Sequence, residues 1–421
     1  MKNSRLLTIF LVVFIDLLGF SLILPLLPYY AETYGASPFI VGLLVASYAA
    51  AQLIGAPLLG RLSDRIGRRP VLLLSVVGTF VGFLLLGFAD LLGRFLAGLI
   101  DPAAVNAIIL GILFFSRILD GLTGGNITVA QAYITDVTDE QNRAKGLGLI
   151  GAAFGLGFII GPAAGGVLSK WGYSLPAFVA ASVSFMNLIM ILFLLPESLS
   201  AERRSAESAQ KRPAINLKAL QQALSRPKVG PLLQMRFIFS LAFATFQTIF
   251  VLYAQGLGLS SQTTGFLLAY VGILTVVVQA GLIGALTRRF RDNWLIINGL
   301  WVMTGALLAW AFTTRLWTLM VVILPLAVAG GVVNTIIQSS ITKSVDRQEV
   351  GGILGISTSL EATTRVIAPI AGGFLLQKLG LWAPGVFSAI LMVWALFLAY
   401  WRIVLPSHRQ PALVEVKLTS E

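Results

Sequence analysis

Cysteine is absent from the 421 residues, and histidine occurs once, at His408 near the polar C-terminus. The first absence excludes a disulfide framework, a thiol nucleophile and a cysteine metal site. The second leaves carboxylates as the side chains that would carry a proton through an apolar interior. Charge is scarce as well. Asp, Glu, Lys and Arg make up 11% of the chain, against about 25% in soluble proteins. With 57% hydrophobic residues and a mean hydropathy of +0.87, a disordered chain and an ordinary cytosolic enzyme are both excluded. No Walker A pattern occurs and there is no sizeable polar domain. The chain is therefore expected to be neither an enzyme nor ATP-driven, to need no cofactor and to hold no metal.

What is present is a long series of apolar runs. At roughly 35 residues per span plus connection, the length allows about twelve membrane helices. Hydropathy divides the chain into spans at 6–30, 38–59, 70–88, 106–133, 145–168, 174–195, 230–254, 263–286, 293–312, 317–340, 351–377 and 383–403. The first run is too long for a signal peptide and no A-x-A site follows it. With the N-terminus inside, 23 of 30 Lys and Arg lie on the cytoplasmic side, four lie outside (Arg94, Lys170, Arg315, Lys378), and Arg117, Arg236 and Arg365 fall within spans. That asymmetry predicts N-in, C-in topology in the plasma membrane, the inner membrane of a bacterium. It also accounts for the net charge of +12 without a nucleic-acid partner.

The one long polar connection, 199–229, predicts an N-terminal six-helix bundle over 1–198 and a C-terminal one over 230–421 with a short cytoplasmic tail. Within it, Ile215–Leu224 reads as an amphipathic surface helix. The stretch Leu91–Ile100, in the connection after span three, reads either as a short interfacial helix or as a plain loop. The halves also repeat. A shift of 207 residues aligns Ile134–Gly166 with Ile341–Gly373 without a gap and with eleven identities, among them Asp139/Asp346, Gln141/Gln348, Gly148/Gly355, Pro162/Pro369 and Gly165-Gly166/Gly372-Gly373. Parallel repeats of this kind build transporters, with a site between the halves at the midplane.

Three motifs sharpen the reading. The turn after span two is Gly60-Arg61-Leu62-Ser63-Asp64-Arg65-Ile66-Gly67-Arg68-Arg69, one carboxylate among four arginines. Span five carries Gly148, Gly157, Gly161, Pro162, Gly165 and Gly166, a small-residue face suited to close helix packing. Span four holds Arg117 and Asp120 at i, i+3, a spacing that lets them pair and offset an insertion cost of about 2.5–3.5 kcal/mol each. The first motif resembles the loop 2–3 signature of the major facilitator superfamily. The span-five pattern is similar to that of its antiporter branch, which includes drug:proton exchangers. "FIDLLGFSLILPLLP" in span one, "AYITDVTDEQNRAKGLG" after span four and "LLPES" ending span six resemble tetracycline efflux proteins of multidrug resistance.

The resemblance implies an all-α fold of twelve helices in two bundles and export of small amphiphilic compounds, drugs and tetracycline among them, against protons. It implies a cytoplasmic gate at Gly60, Asp64, Arg65, Gly67, Arg68 and Arg69 in which Asp64 latches the halves. In the second half Arg288 stands where Asp64 would, so such a latch is one-sided. Arg117 would steer the proton to a nearby carboxylate.

The residues themselves single out Asp16, about 12 Å into the first span with no basic residue near it in sequence. It reads either as a proton carrier tuned by burial against a facing Arg117, or as a neutral packing carboxyl. Glu361 and Arg365 replace Phe154 and Phe158 at equivalent repeat positions. They read first as a self-neutralised pair and second as a protonation or substrate contact. Asn126, Gln131, Phe243, Phe246, Gln247, Phe250, Asn334 and Gln338, with Arg365, are expected to line a substrate cavity. The partners expected are a small molecule, protons and the bilayer, with the chain a monomer. Two rivals stay open: a lipid or glycolipid translocator on the same fold, and a proton-coupled uptake symporter, against which the span-five glycines argue.

Overall fold

The computed structural model describes residues 2–199, 217–346 and 349–404, and among these residues every regular element is a helix. Gln348 of the repeat, the rest of the 199–229 connection, and His408 with the tail lie outside the described residues. Hydrocarbon offers the backbone no hydrogen-bond partners, so apolar runs of this length close their own bonds as helices. In chain order these are α1 (Lys2–Ile23), α2 (Leu27–Glu32), α3 (Pro38–Ile66), α4 (Arg68–Gly87), α5 (Ala89–Ile100), α6 (Val105–Thr123), α7 (Asn126–Val137), α8 (Glu140–Leu168) and α9 (Ser174–Leu194). After the connection come α10 (Leu217–Ser225), α11 (Val229–Gly256), α12 (Ser261–Val277), α13 (Ile283–Arg289), α14 (Asp292–Ala311), α15 (Leu316–Lys343), α16 (Val350–Leu379) and α17 (Ala383–Ala399).

Ten helical stretches are long and apolar enough to cross a membrane, and α12 is a shorter apolar one. The long helix α16 carries Glu361 and Arg365 in its middle. The protein is a multi-pass membrane protein. Of the two alternatives for the connection after span three, the loop is excluded: α5 is a helix with Leu91, Phe95, Leu99 and Ile100 exposed along one side.

Not every expected span is a continuous α-helix. The first breaks at Leu24-Pro25-Leu26 between α1 and α2, the fourth splits at Gly124-Gly125 into α6 and α7, and the eighth passes through a π-turn, Val278–Leu282, between α12 and α13. The break in the fourth has a packing cause. A Cβ on Gly125 would lie 2.8 Å from Leu59, and one on Gly124 3.1 Å from the Gln52 amide, so α3 crosses directly over the interruption. Between α3 and α4 the chain reverses at Gly67, whose φ of +110° a side chain would strain.

The two halves of the sequence meet along two helix pairs, α3 on α16 and α8 on α12. Both contacts are of backbone on backbone, at one end of the molecule. A Cβ on Gly42 would lie 2.2 Å from the Pro369 carbonyl oxygen, and one on Gly373 2.5 Å from that of Pro38. On the other pair, Gly265 approaches the Pro162 carbonyl (2.3 Å) and Gly166 that of Ser261 (3.1 Å). The prolines and glycines of the sequence repeat therefore close the same contact twice. Towards the opposite end Gly155 still meets Val276, but nothing lies within 4 Å of a Cβ on Gly148, Gly151, Gly281 or Gly284, or on Gly351, Gly352 or Gly355 of α16. The halves part there, and the gap between them opens at the end that carries Arg65, Arg68 and Arg69.

Candidate functional site

The break in span four places the first polar group. Asn126 opens α7 directly after it, and its Nδ2 donates to Asp16 Oδ1 of α1 at 2.7 Å. The break is fixed from α3, where Gln52 Nε2 donates to the Gly124 carbonyl at 3.1 Å and to the Tyr48 hydroxyl at 3.1 Å. One turn earlier, Arg117 and Asp120 are buried and paired at 3.2 Å. The Arg117 guanidinium lies over the Phe83 ring, 5.4 Å from its centroid. Gly82 of α4 makes room for this: a Cβ there would sit 3.2 Å from that of Asp120. The expected facing of Arg117 on Asp16 is therefore corrected. Arg117 is neutralised by its own helix neighbour, and Asp16 is held by an uncharged amide, leaving one carboxyl in this cluster with no cation of its own.

The second half carries the opposite imbalance. Glu361 accepts from Arg236 at 2.6 Å and from Arg365 at 3.0 Å, so the expected self-neutralised pair is in fact one carboxylate between two arginines. Arg236 of α11 is buried and also donates to the Asn334 side chain and to its carbonyl oxygen (3.4 Å). Asn334, expected in the cavity, is thus a ligand of that arginine. Arg236 was legible as a charge within a span but received no role. The signal was there: a cation in a long apolar helix with no acidic residue on the same helix must find its partner on another one.

Of the remaining expected cavity residues, Gln247 is the one exposed position in the stretch Ile238–Ala254, Gln131 is exposed, and Gln338 and Phe243 are half-buried. Phe246 and Phe250 are corrected to core. Both are buried, Phe246 lies edge-on to Trp310 with centroids 5.0 Å apart, and Phe250 lies edge-on to Phe246 at 5.6 Å. A run of phenylalanines three or four apart on one helix packs the helix as readily as it lines a pocket.

The span-five glycines divide by neighbour. Gly157, Gly161 and Gly165 press on α1, where a Cβ would lie 3.2 Å from Leu17, 2.0 Å from Ser21 Oγ and 2.3 Å from the Leu22 carbonyl. Ser21 Oγ returns a bond to the Gly157 carbonyl at 2.8 Å. Pro162 and Gly166 instead face the other half, as above, and Gly148 faces open space. The motif thus couples the Asp16 helix to the closed end.

The basic turn is gathered within the first half. Arg68 is buried and bonds Asp64, Asp136 (3.0 Å) and Ser63 Oγ (2.8 Å). The backbone amides of Arg68 and Arg69 donate to the Glu197 carboxylate at 2.9 and 3.1 Å, and the Arg69 guanidinium to the Leu192 carbonyl. "AYITD" and "LLPES" thereby meet "SDRIGRR". Asp64 has its ion pair inside the same half, with none to the second half among the described residues, so no latch joins the halves at this end. Gly60 meets only the Thr128 methyl, and Arg65 is exposed.

An all-helical membrane fold with charges gathered around a gap between two repeated halves defines a transporter. The family model described as Major Facilitator Superfamily matches residues 9–356 and 280–419, and the chain belongs to that family. It is 32% identical over 373 residues to the class C tetracycline resistance protein of Escherichia coli, covering 88% of this chain and 89% of that one. It is 28% identical over 394 residues to multidrug resistance protein 2 of Bacillus subtilis, covering 92% and 93%. Among solved structures, the human organic anion transporter MFSD10 (TETRAN) superposes with a TM-score of 0.65 at 22% identity, covering 94% and 99% of the two chains. A D-xylose-proton symporter superposes with a TM-score of 0.74 at 16% identity, covering 95% and 97%. The chain is an MFS transporter related to tetracycline and multidrug efflux proteins. The family consists of transporters rather than enzymes.

Proposed function

We propose that this protein exports small amphiphilic compounds, tetracyclines among the candidates, in exchange for protons. It does so by rocking two six-helix bundles, 1–198 and 230–421, about a central site, with twelve spans, both termini inside and the chain working as a monomer. The observation that carries this is Asp16. It is a membrane-embedded carboxyl held by one amide, on a helix that the span-five glycines clamp to the closed end. An intramembrane carboxyl without a paired cation is a natural proton carrier. Protonation alters the charge of the gap wall, so substrate and proton compete for one site.

With the basic turn on the cytoplasmic side, the gap opens inward, the orientation in which cytoplasmic substrate loads. Each charge moved gains about 2.3 kcal/mol per 100 mV, so inward protons drive the cycle without ATP. Arg117 and Asp120 form a neutral pair beside the carrier and position it.

The test uses inside-out vesicles under an imposed pH gradient. Proton release evoked by tetracycline or a panel of lipophilic drugs should occur in the wild type and vanish in Asp16→Asn. Flux that survives the substitution moves the proton to Asp120 or Glu361, and no flux with any compound removes the exporter reading.

A further inference from the structure

We infer that Arg365 docks an anionic group of the transported molecule, a carboxylate on an otherwise aromatic and apolar body. The inference rests on the central gap being the substrate path proposed above.

The first ground is stoichiometry. Glu361 is shared by two guanidinium groups, and Arg236 is buried with its two terminal nitrogens bonded to Asn334 and Glu361, its Nε alone left without a partner. Arg365 makes one side-chain hydrogen bond, from Nη2 to Glu361 Oε1 at 3.0 Å. A guanidinium has five N–H donors in a fork that fits a carboxylate, and the Arg365 side chain is 60% exposed. One positive charge of the cluster is left without a protein counter-ion.

The second ground is position. Arg365 stands four residues before Pro369, on the same side of α16, and Pro369 touches Gly42 of α3. The helix face that bears Arg365 is therefore the one turned to the other half, one turn below the closure. Gly372, Gly373 and Leu376, which follow on that side, are buried like Pro369. Arg365 thus projects towards the wall that holds the proton carrier, and away from lipid.

The third ground is what the other half carries at the equivalent positions. The repeat places Phe154 and Phe158 on α8 where α16 has Glu361 and Arg365. Those two rings lie 6.1 Å apart, and Phe158 reaches Phe20 of α1 at 6.4 Å, with Tyr48 5.1 Å from Phe20. Equivalent positions of the two halves therefore offer a cationic fork on one side and an aromatic wall on the other. A molecule that satisfies both has a flat apolar body and one acidic group.

The experiment is isothermal titration of the purified full chain with naphthylacetate and with its uncharged isostere naphthylacetamide. The wild type should bind the acid at least tenfold more tightly than the amide. Arg365→Gln should erase that preference, Arg365→Lys should restore most of it, and Glu361→Gln should tighten the acid by removing the competing carboxylate. Failure of the wild type to bind the acid, equal binding of acid and amide, or a preference that survives Arg365→Gln overturns the assignment. Since binding is read without a proton gradient, a chain that prefers the acid but releases no protons would fail the exporter reading and leave this one standing.

Discussion

The two ends of the molecule are held by different physics. At the closed end the halves touch through glycines and carbonyl oxygens: Gly42 on Pro369, Gly373 on Pro38, Gly265 on Pro162 and Gly166 on Ser261. A few polar contacts ring them. Tyr29 donates to the Leu259 carbonyl and shares a bond with Thr264, both at 2.8 Å, Ser169 meets Ser261 at 2.8 Å, and Gln255 bonds Glu32. At the basic end the strongest contacts, those of Arg68 with Asp64 and Asp136 and of Glu197 with the Arg68 and Arg69 amides, all lie inside the first half. Short-range packing falls away once a helix tilts by an ångström or two. It therefore suits a seal that must release completely, whereas ion pairs within one half keep that half rigid while it moves. The comparison teaches that the closed end governs the conformational equilibrium and the basic cluster governs integrity.

The largest effect should come from the basic cluster, on stability. Arg68→Ala strands two partly buried carboxylates, and losing one partner of such a cluster costs about 3–5 kcal/mol. The thermal midpoint of the detergent-solubilised protein should fall by many degrees, while labelling of a reporter cysteine introduced at the closed end stays as it was. A changed accessibility with an unchanged midpoint would invert the comparison.

Next in size is Gly42→Leu, or Gly265→Leu on the paired contact. Any Cβ there collides with a carbonyl, and overpacking of this kind costs about 1–3 kcal/mol. The strain is relieved by opening, so the conformational ratio should shift roughly 5- to 150-fold with little loss of midpoint. The chain has no cysteine, so one introduced at Ser261, half-buried where it meets Ser169 of the other half at 2.8 Å, reports opening through the rate of maleimide labelling. An unaltered rate in both variants would mean that the glycine contacts are not the seal.

Much of this was legible beforehand, and the unread part has a pattern. The membrane class, the repeat, the basic turn and the glycine motif are properties of one stretch of chain, so composition and spacing suffice to see them. The Arg117–Asp120 pair was legible for the same reason, being i, i+3 on one helix. Errors arose wherever a residue's partner came from a distant stretch. Asp16 was expected to face Arg117 but found Asn126, because the Gly124-Gly125 break redirects the chain between them. Glu361 seemed matched by Arg365, because nothing local says that Arg236 arrives from another helix. Phe246 and Phe250 looked like pocket walls, since helical spacing alone cannot tell which neighbour lies opposite.

A smaller effect probes the polar ring of the closed end. Tyr29→Phe deletes two hydrogen bonds across the halves but leaves the glycine contacts in place. Each bond contributes about 0.5–1.5 kcal/mol, and the freed partners reach water when the end opens. Labelling at the same cysteine should accelerate by less than in Gly42→Leu. If Tyr29→Phe opened the end more than Gly42→Leu, hydrogen bonding rather than packing would be the seal.

The smallest effect lies at the open end, where Arg226, just after α10, makes a two-pronged ion pair with Glu349 at the start of α16 (2.8 and 2.9 Å). The bond from Arg226 holds the Glu349 carboxyl below its usual range. A depressed carboxyl contributes above its ordinary titration range, and the contribution is lost as pH falls through the lowered value. Both groups are exposed, so salt should weaken the tie and its share of stability is slight. Hydrogen exchange in Leu217–Ser225 should thus quicken in the wild type, after correction for the intrinsic rate, as the pH falls through that lowered value. Glu349→Gln should show the quick exchange already at pH 7. An exchange rate in the wild type that ignores both pH and salt would mean that α10 is held by its apolar face on α11 alone. In that case neither end of the molecule would owe any of its order to an exposed ion pair.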